Sequence, residues 1–385
     1  MKISMVLPRG TLKKTFGGAE IQAIKTKKFL NKRGVSANIV EADVGAKSLS
    51  TCDVVHIFDH TDAFFSTRIT KKIYKKLVFT PIYWPEKGKR TIIQKIQTYL
   101  ALENPQFLFN QLQKPYSMTF YLIWRFFPEF AGPVRKMIGQ MWLYPFKAAD
   151  VIVVNSAAEK AVLCNIVGRG IESKTKIVYN GVDDEIYGKP ISEKMRNLFA
   201  DKYKVQDYVL SIGRIEPRKN QLMLVRACKI LNLPCVLIGR AYDRYYAQKV
   251  FRELKDGKIE YRYIHYLLPD SDMLISAYLN ARIVALPSAF ETPGLVALEA
   301  ASLGRTVVVT KIGSALEYFK EKAYYVDPED QEDVTRGIQK AWDNPINAEE
   351  VRKFVLENYS WKRTAQNISQ IYQELLTNRK GVQDS

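Results

Sequence analysis

The feature that most constrains this chain is an alternation. Short apolar runs rich in β-branched residues recur between amphipathic stretches along most of the sequence. Eleven runs read as strands: KISMVLP, SANIVEA, DVVHIF, KLVFT, DVIVVNS, KIVYN, YVLSIG, PCVLIG, RIVALPS, TVVVT and AYYVD. Several are continuously apolar, the pattern of parallel strands covered on both faces. The stretches between them read as helices. In AEIQAIKTKKFLNKRG, Ile21, Ile24, Phe29 and Leu30 make an apolar side and Gly34 marks the stop. The expected class is α/β with parallel sheets. With 385 residues, 47% of them hydrophobic and 25% charged, the chain can fill two to three cores. Intrinsic disorder, collagen and a disulfide-stapled miniprotein are excluded.

The rhythm breaks once. Residues 86–147 carry no clear strand, but thirteen aromatics and nine basic residues against three acidic. This stretch reads as a helical insertion. It fits either a surface for anionic lipids or an enlarged core. The alternation resumes at Asp150. A loop at 188–190 and a charged helix to Tyr203 precede YVLSIG, which suggests domains at 1–190 and 205–360. Residues 361–385 then supply a long closing helix.

Charge narrows the partners. The 58 Lys and Arg exceed the 40 Asp and Glu, giving a net +18, of which residues 1–190 hold +14. That excess favours an anionic partner: a nucleotide, a nucleic acid or an acidic membrane surface. KKFLNKR and KKIYKK read as solvated helix faces, and no nucleic-acid-binding motif is present, so no nucleic-acid partner is expected. Cys52, Cys164, Cys228 and Cys235 form no CxxC pair and read as small core residues in a reducing compartment. The opening MKISMVLPRG reads as a strand and turn rather than a secretory leader. No run of about 18 apolar residues occurs. The expected location is cytoplasmic, at most peripheral on the cytoplasmic face of a membrane.

Four segments could carry chemistry. In SIGRIEPRKNQ, Arg214 and Lys219 follow a strand end at Ile212 and a turn at Gly213. A guanidinium and an ammonium there suit a diphosphate; the alternative is a solvated basic turn. In ALPSAFETPGLVALEAASLG, Glu291 lies in a loop and Glu299 about two turns into the helix that follows. The amides at Gly294, Leu295 and Val296 open that helix as an anion site. Glu299 is either a carboxylate for ribose hydroxyls or an ordinary helix acid. In TFGGAEIQ, Gly17 and Gly18 allow close backbone approach to a phosphate, or form a plain loop. Among the three histidines, His60 follows a strand with Asp59 and Asp62 close by and suits an acceptor-side base. His56 reads as a core or cleft residue, and His265 as lining or supporting a cleft. Asp270 and Asp272 open a helix and read as cap and first-turn acids, so no metal site is expected.

Together these segments resemble the retaining glycosyltransferases of family 4, which have the GT-B fold. GGAE is similar to that family's N-terminal glycine loop. VIVVNSAAE and IVYNGVDDEIY are similar to its strand-end serine and NGVD segments. GRIEPRKN is similar to its diphosphate clamp, FETPGLVALEA to its Glu-x7-Glu motif, and SWKRTAQNISQIY to its closing helix. The likeness runs from about Asp150 to Tyr372 and is weaker before it. It implies two Rossmann-like, doubly wound domains facing across a cleft. It also implies transfer of a sugar, with retention and without a divalent metal or other cofactor, from a nucleotide sugar such as a UDP- or GDP-sugar. The acceptor would be a saccharide or a lipid-linked molecule in cell-surface glycan synthesis. By the resemblance, Arg214 and Lys219 bind the diphosphate and stabilise leaving-group charge, Glu291 contacts the sugar hydroxyls and Glu299 holds the ribose. Gly17, Gly18 and the amides around Gly294 and Leu295 assist. Two departures stand out. VFTPIYWPE lacks the histidine that many family members carry there, so either His60 serves instead or Tyr83 and Trp84 shape the acceptor site. Glu291-Thr292-Pro293-Gly294 replaces the usual Glu-Gly-Phe-Gly. The competing readings are a nucleotide-sugar epimerase of similar fold and a basic, non-catalytic nucleic-acid-binding protein.

Overall fold

A computed structural model describes residues 1–11, 17–43, 45–60, 62–84, 131–256 and 259–377. The chain divides into two compact units. The first comprises Met1–Val154, Lys160–Ile177 and Ala365–Ser385; the second comprises Asn155–Glu159 and Val178–Thr364.

The first unit is built on β1 (Lys2–Leu7), β2 (Ser36–Glu41), β3 (Val54–Phe58), β4 (Lys76–Thr80), β5 (Val151–Val154) and β6 (Thr175–Ile177). They form one parallel sheet in the order β2-β1-β3-β4-β5-β6. The apolar runs bury both faces. Val55, Ile57, Leu77, Phe79, Ile152 and Val154 enter one packed cluster. Ile3, Met5, Val54, Val78 and Val153, one residue out of phase, are buried as well. Each such side chain contributes about 1.5–3 kcal/mol on burial.

The second unit repeats the plan with β7 (Tyr208–Ile212), β8 (Cys235–Ile238), β9 (Tyr261–Ile264), β10 (Ala281–Leu286), β11 (Thr306–Thr310) and β12 (Tyr324–Val326). The order is β12-β11-β10-β7-β8-β9, again parallel. Leu210, Val236, Val284 and Val307 pack on one face, and Val209, Leu237, Ala285 and Val308 on the other. The eleven expected strands are present. The twelfth, β9, was not expected: YRYI is a sheet-edge strand whose first three residues are only half-buried, and its Arg and tyrosines lack the apolar signal of a central strand.

Two further expectations are corrected. The helix Gly18–Lys32 ends as read, with the Gly34 N–H donating to Asn31 O at 3.0 Å. Its inner face, however, is Gln22, Ala23, Lys25, Thr26, Phe29 and Leu30; Ile21 and Ile24 are only half-buried. Position on the helix, rather than side-chain polarity, decides what lies inward. The second unit begins at Val178, ahead of the loop at 188–190, because Val182 bridges to Ser360 and Tyr187 lies in the second core. Most of the 86–147 insertion lies outside the described residues. Of its aromatics, Trp142, Tyr144 and Phe146 sit on the helix Ala131–Ala148. They pack on Tyr83, Phe64 and Phe79 at ring separations of 5.5, 5.6 and 5.1 Å. Phe146 is part of the first core, and Trp142 packs against it. All four cysteines are free, three of them buried. No helix among the described residues is long and apolar enough to cross a membrane.

Candidate active site

In an open parallel sheet, ligands bind beyond the strand C-termini, where the strand order reverses. In the second unit that point lies between β7 and β10, which are neighbours although two strands separate them in sequence. Both motif segments emerge there, 213–219 after β7 and 287–294 after β10. Backbone bonds tie the two loops together. The Ala289 N–H donates to Arg218 O at 2.7 Å, and Asn220 Nδ2 donates to Pro287 O at 3.0 Å and Pro328 O at 2.9 Å. The result is a contact that spans 72 residues: Lys219 Nζ donates to Glu291 Oε1 at 2.6 Å. Ser288 Oγ donates to the same oxygen at 2.7 Å. Glu291 Oε2 receives no hydrogen bond from the described residues.

The main chain holds Glu291 as firmly as its side chain does. Its N–H donates to Ile312 O at 3.2 Å, and the Ser314 N–H donates to its carbonyl at 2.8 Å. This approach requires Gly313: at φ +106°, a Cβ there would lie 2.1 Å from Glu291 O. The Lys219 and Glu291 side chains are only 16% and 7% exposed. Burial pushes the Glu291 carboxyl up, but the Lys219 and Arg218 charges and the bonds from Lys219 and Ser288 outweigh it, so the carboxyl lies below its ordinary range. Burial in turn pulls the Lys219 ammonium down, against the pull of Glu291. The carboxylate is therefore ionised at neutral pH. Already bonded, it is a poor base, and its uncommitted Oε2 suits it to accept from a hydroxyl.

Arg214 and Lys219, read from the sequence as one clamp, engage different carboxylates. Arg214 stacks its guanidinium 4.5 Å from the Tyr242 ring and pairs with Glu216 at 3.4 Å. Arg218 also pairs with Glu216, at 3.2 Å, and lies 5.3 Å from the Phe290 ring. It is a third cation in this loop cluster, one that the Arg214–Lys219 spacing does not single out. Its signal was its place beside Lys219 in the Pro217–Lys219 turn.

The helix Leu295–Ser302 opens at Gly294, whose φ of +69° suits glycine. The Gly294 carbonyl accepts from Ala297 and Leu298. The Leu295 and Val296 N–H groups meet no acceptor among the described residues and stand as two uncommitted donors at the helix start. Glu299, half-buried in the second turn of this helix, accepts at Oε2 from the hydroxyl of fully buried Tyr278, at 2.7 Å. Asp272 begins the helix Asp272–Asn280, as read, but the cap is Ser271, which accepts from the Leu274 N–H. Asp270 instead accepts from Tyr187 Oη at 3.3 Å. No group of three His, Cys, Asp or Glu among the described residues is placed to hold a metal ion.

In the first unit the order reverses between β1 and β3. Arg9, after β1, pairs there with Asp62, after β3, at 3.0 Å. Gly17 N–H donates to Glu20 Oε2 at 2.8 Å and caps its own helix, while Gly18 is exposed. His60 Nδ1 is buried without a hydrogen bond, 3.7 Å from Asp59 Oδ1. Its ring meets Tyr83 edge-on at 5.4 Å, so the two acceptor-side candidates are neighbours. His56 is structural. It lies between Tyr372 Oη at 2.6 Å and Thr80 Oγ1 at 2.7 Å, and burial pushes its pKa down to about 3. His265 is exposed, 3.5 Å from Tyr263 Oη.

Residues 196–361 match the family described as glycosyl transferases group 1. An uncharacterized glycosyltransferase of Methanocaldococcus jannaschii is 27% identical over 244 residues, 60% of this chain and 61% of that protein. The O-antigen chain mannosyltransferase B of Escherichia coli is 36% identical over 147 residues, 36% of this chain and 38% of that protein. The matched stretch thus spans about three-fifths or less of these relatives. HepE of Anabaena, in complex with UDP, superposes with a TM-score of 0.67 at 16% identity, covering 97% of this chain and 100% of that one. Two six-stranded parallel α/β units in this order are the GT-B glycosyltransferase fold, and the second carries the match to glycosyl transferases group 1.

Proposed function

We propose that this chain is a retaining glycosyltransferase that moves a sugar from a nucleotide sugar, of the UDP- or GDP-sugar kind, to a saccharide or lipid-linked acceptor. The setting is cell-surface glycan synthesis at the cytoplasmic face of a membrane, with no cofactor or divalent metal. One observation carries this reading: the buried Lys219–Glu291 pair stands in the same loop cluster as the unclaimed Leu295 and Val296 amides, at the β7/β10 reversal. Cations and amide dipoles fixed beforehand stabilise charge as it develops on the leaving diphosphate. Lys219 keeps two donors beyond its bond to Glu291, and Arg214 adds a planar fork. Glu291 Oε2 accepts from a sugar hydroxyl, and Glu299, steadied by Tyr278, takes the ribose. In the first unit, the Gly17–Gly18 turn is assigned to substrate contact and His60 to the acceptor hydroxyl. The relatives and HepE support a nucleotide donor and a saccharide acceptor.

The test is NMR of the product formed from a panel of UDP-, GDP- and ADP-sugars with a soluble saccharide acceptor in the presence of a chelator. One α-linked donor should yield an α-linked product at an unchanged rate with chelator. Arg214→Ala and Glu299→Gln should each lower kcat/KM by about 10²-fold or more. An inverted anomer would overturn retention, and loss of activity on chelation would overturn metal independence. No transfer from any donor, with the protein folded, would overturn the whole reading.

A further inference from the structure

We infer that Glu216 is a positioning residue of the proposed transferase site: it braces the Arg214 guanidinium where the donor's diphosphate meets it. The inference rests on the transferase reading and adds a residue to it. Glu216 is the centre of Arg214-Ile215-Glu216-Pro217-Arg218, a carboxylate with an arginine two residues away on either side. The backbone fixes it from both directions. Ile215 prolongs the sheet, its N–H donating to Arg240 O at 2.8 Å and its carbonyl accepting from the Tyr242 N–H at 3.2 Å. Glu216 itself is extended, and Pro217 opens the turn that follows. Residues two apart on extended backbone share a side, which brings Arg214 and Glu216 together. The turn then folds Arg218 back onto the same carboxylate. The Glu216 side chain is only 10% exposed, so it belongs to the interior of the loop cluster and needs its counter-charges.

The two arginines are held unequally. Arg218 Nε donates to Glu216 Oε1 at 3.2 Å, and its Nη2 lies at the same distance from that oxygen. Arg214 makes longer contacts, Nε to Oε2 at 3.4 Å and Nη2 to Oε1 at 3.5 Å, and its side chain is 48% exposed. Its other support is the Tyr242 ring, 4.5 Å away. Arg218 therefore balances the Glu216 charge, while Arg214 is braced between a carboxylate and a ring. Its Nη1 donors meet no acceptor among the described residues and remain for an anion from outside. With two guanidiniums against one carboxylate, the set keeps a positive charge. A long side chain without such a brace loses its rotamer freedom only on meeting the ligand. One fixed beforehand stabilises charge on a leaving diphosphate without reorganising. Lys219 is tied to the same residue, its backbone N–H donating to Glu216 O at 3.0 Å. Glu216 thus engages Arg214 and Arg218 through its side chain and Lys219 through its main chain.

The test is a double-mutant cycle between Glu216 and Arg214 in the full chain, read as kcat and KM for transfer to a soluble saccharide acceptor. Glu216→Ala should lower kcat/KM about tenfold, chiefly through kcat, when Arg214 is present. On an Arg214→Ala background the same substitution should change it by less than about twofold. Glu216→Gln keeps the side-chain volume and an acceptor oxygen, so it should lose only about threefold, again only with Arg214 in place. That variant carries the test if Glu216→Ala does not fold. A merely structural role would move both backgrounds alike. The inference is overturned if the Glu216 variants leave kcat/KM unchanged, or if their effect is the same with and without Arg214. Failure of the transferase reading looks different: the parent chain itself then transfers no sugar, and the Glu216 assignment falls with it.

Discussion

The two sheets end differently at their points of reversal. In the second unit the strand ends converge on a buried ion pair, Lys219–Glu291, with Arg214 and Arg218 around Glu216 beside it. In the first unit the corresponding pair, Arg9–Asp62, is half in solvent, and the fully buried titratable group, His56, is held neutral. A buried charge is tolerated only with a counter-charge and hydrogen bonds, and it is still a costly arrangement. At the reversal point of the sheet such a pair fits the proposed site: a cation already desolvated where the proposal places an incoming anion. Among its described residues the first unit shows no such cluster inside and carries cations without an ion-pair partner outside, at Arg68 and Lys72.

The sharpest way to break this comparison is Lys219→Met. It leaves the Glu291 carboxylate buried without its cation and should cost about 3–5 kcal/mol, with most of that regained in Lys219→Met/Glu291→Gln. Denaturant unfolding would read both; a cost near zero for the single variant would remove the contrast between the units.

Acid titration separates them next. The folded His56 pKa is about 3, against an ordinary value of 6.5. The buried imidazole therefore contributes fully above pH 6.5, and its contribution is lost as pH falls through that value toward 3. The loss is about 1.4 kcal/mol per pH unit, or about 2 kcal/mol by pH 5. Glu291 has the opposite origin and a different window: its depressed pKa keeps its contribution intact until pH falls below the ordinary carboxylate range. Urea midpoints measured between pH 7 and 5 should drop in the parent and stay level in His56→Gln. A parent midpoint independent of pH would contradict the burial argument.

A smaller effect is expected at Tyr278→Phe. Losing one hydrogen bond to the Glu299 carboxylate should weaken nucleotide binding about five- to tenfold. The penalty should vanish with a 2′,3′-dideoxy nucleotide, which has no ribose hydroxyls for Glu299 to hold. The smallest effect is at Tyr74→Gly, which relieves left-handed strain and should raise stability by up to about 1 kcal/mol. A loss of stability there would mean that the Tyr74 ring has a packing role within the fold.

What was legible in the sequence follows the range of the interactions. Strands covered on both faces announce themselves through consecutive apolar residues, and the turn and helix chemistry around Gly213 and Gly294 is local. The candidate residues of the second unit therefore stand out along the chain. Their partners do not. Lys219 meets Glu291 because β7 and β10 are neighbours, and Tyr278 reaches Glu299 from a separate helix; neither adjacency is written in spacing. His56 depends on Tyr372, 316 residues away. β9 was missed because an edge strand of half-buried tyrosines and an arginine carries little apolar signal. The inner face of the first helix was misread because Gln22, Lys25 and Thr26 lie inward where side-chain type alone would place Ile21 and Ile24.

The central claim is that the Lys219–Glu291 cluster and Glu299 hold a nucleoside diphosphate. Its most direct test is calorimetric titration of the full chain with UDP, GDP and ADP in the presence of a chelator. The account predicts that one of the three binds and that Lys219→Ala and Glu299→Ala each weaken it by about tenfold or more. Absence of binding at millimolar concentration, or equal binding by the parent and both folded variants, would contradict it.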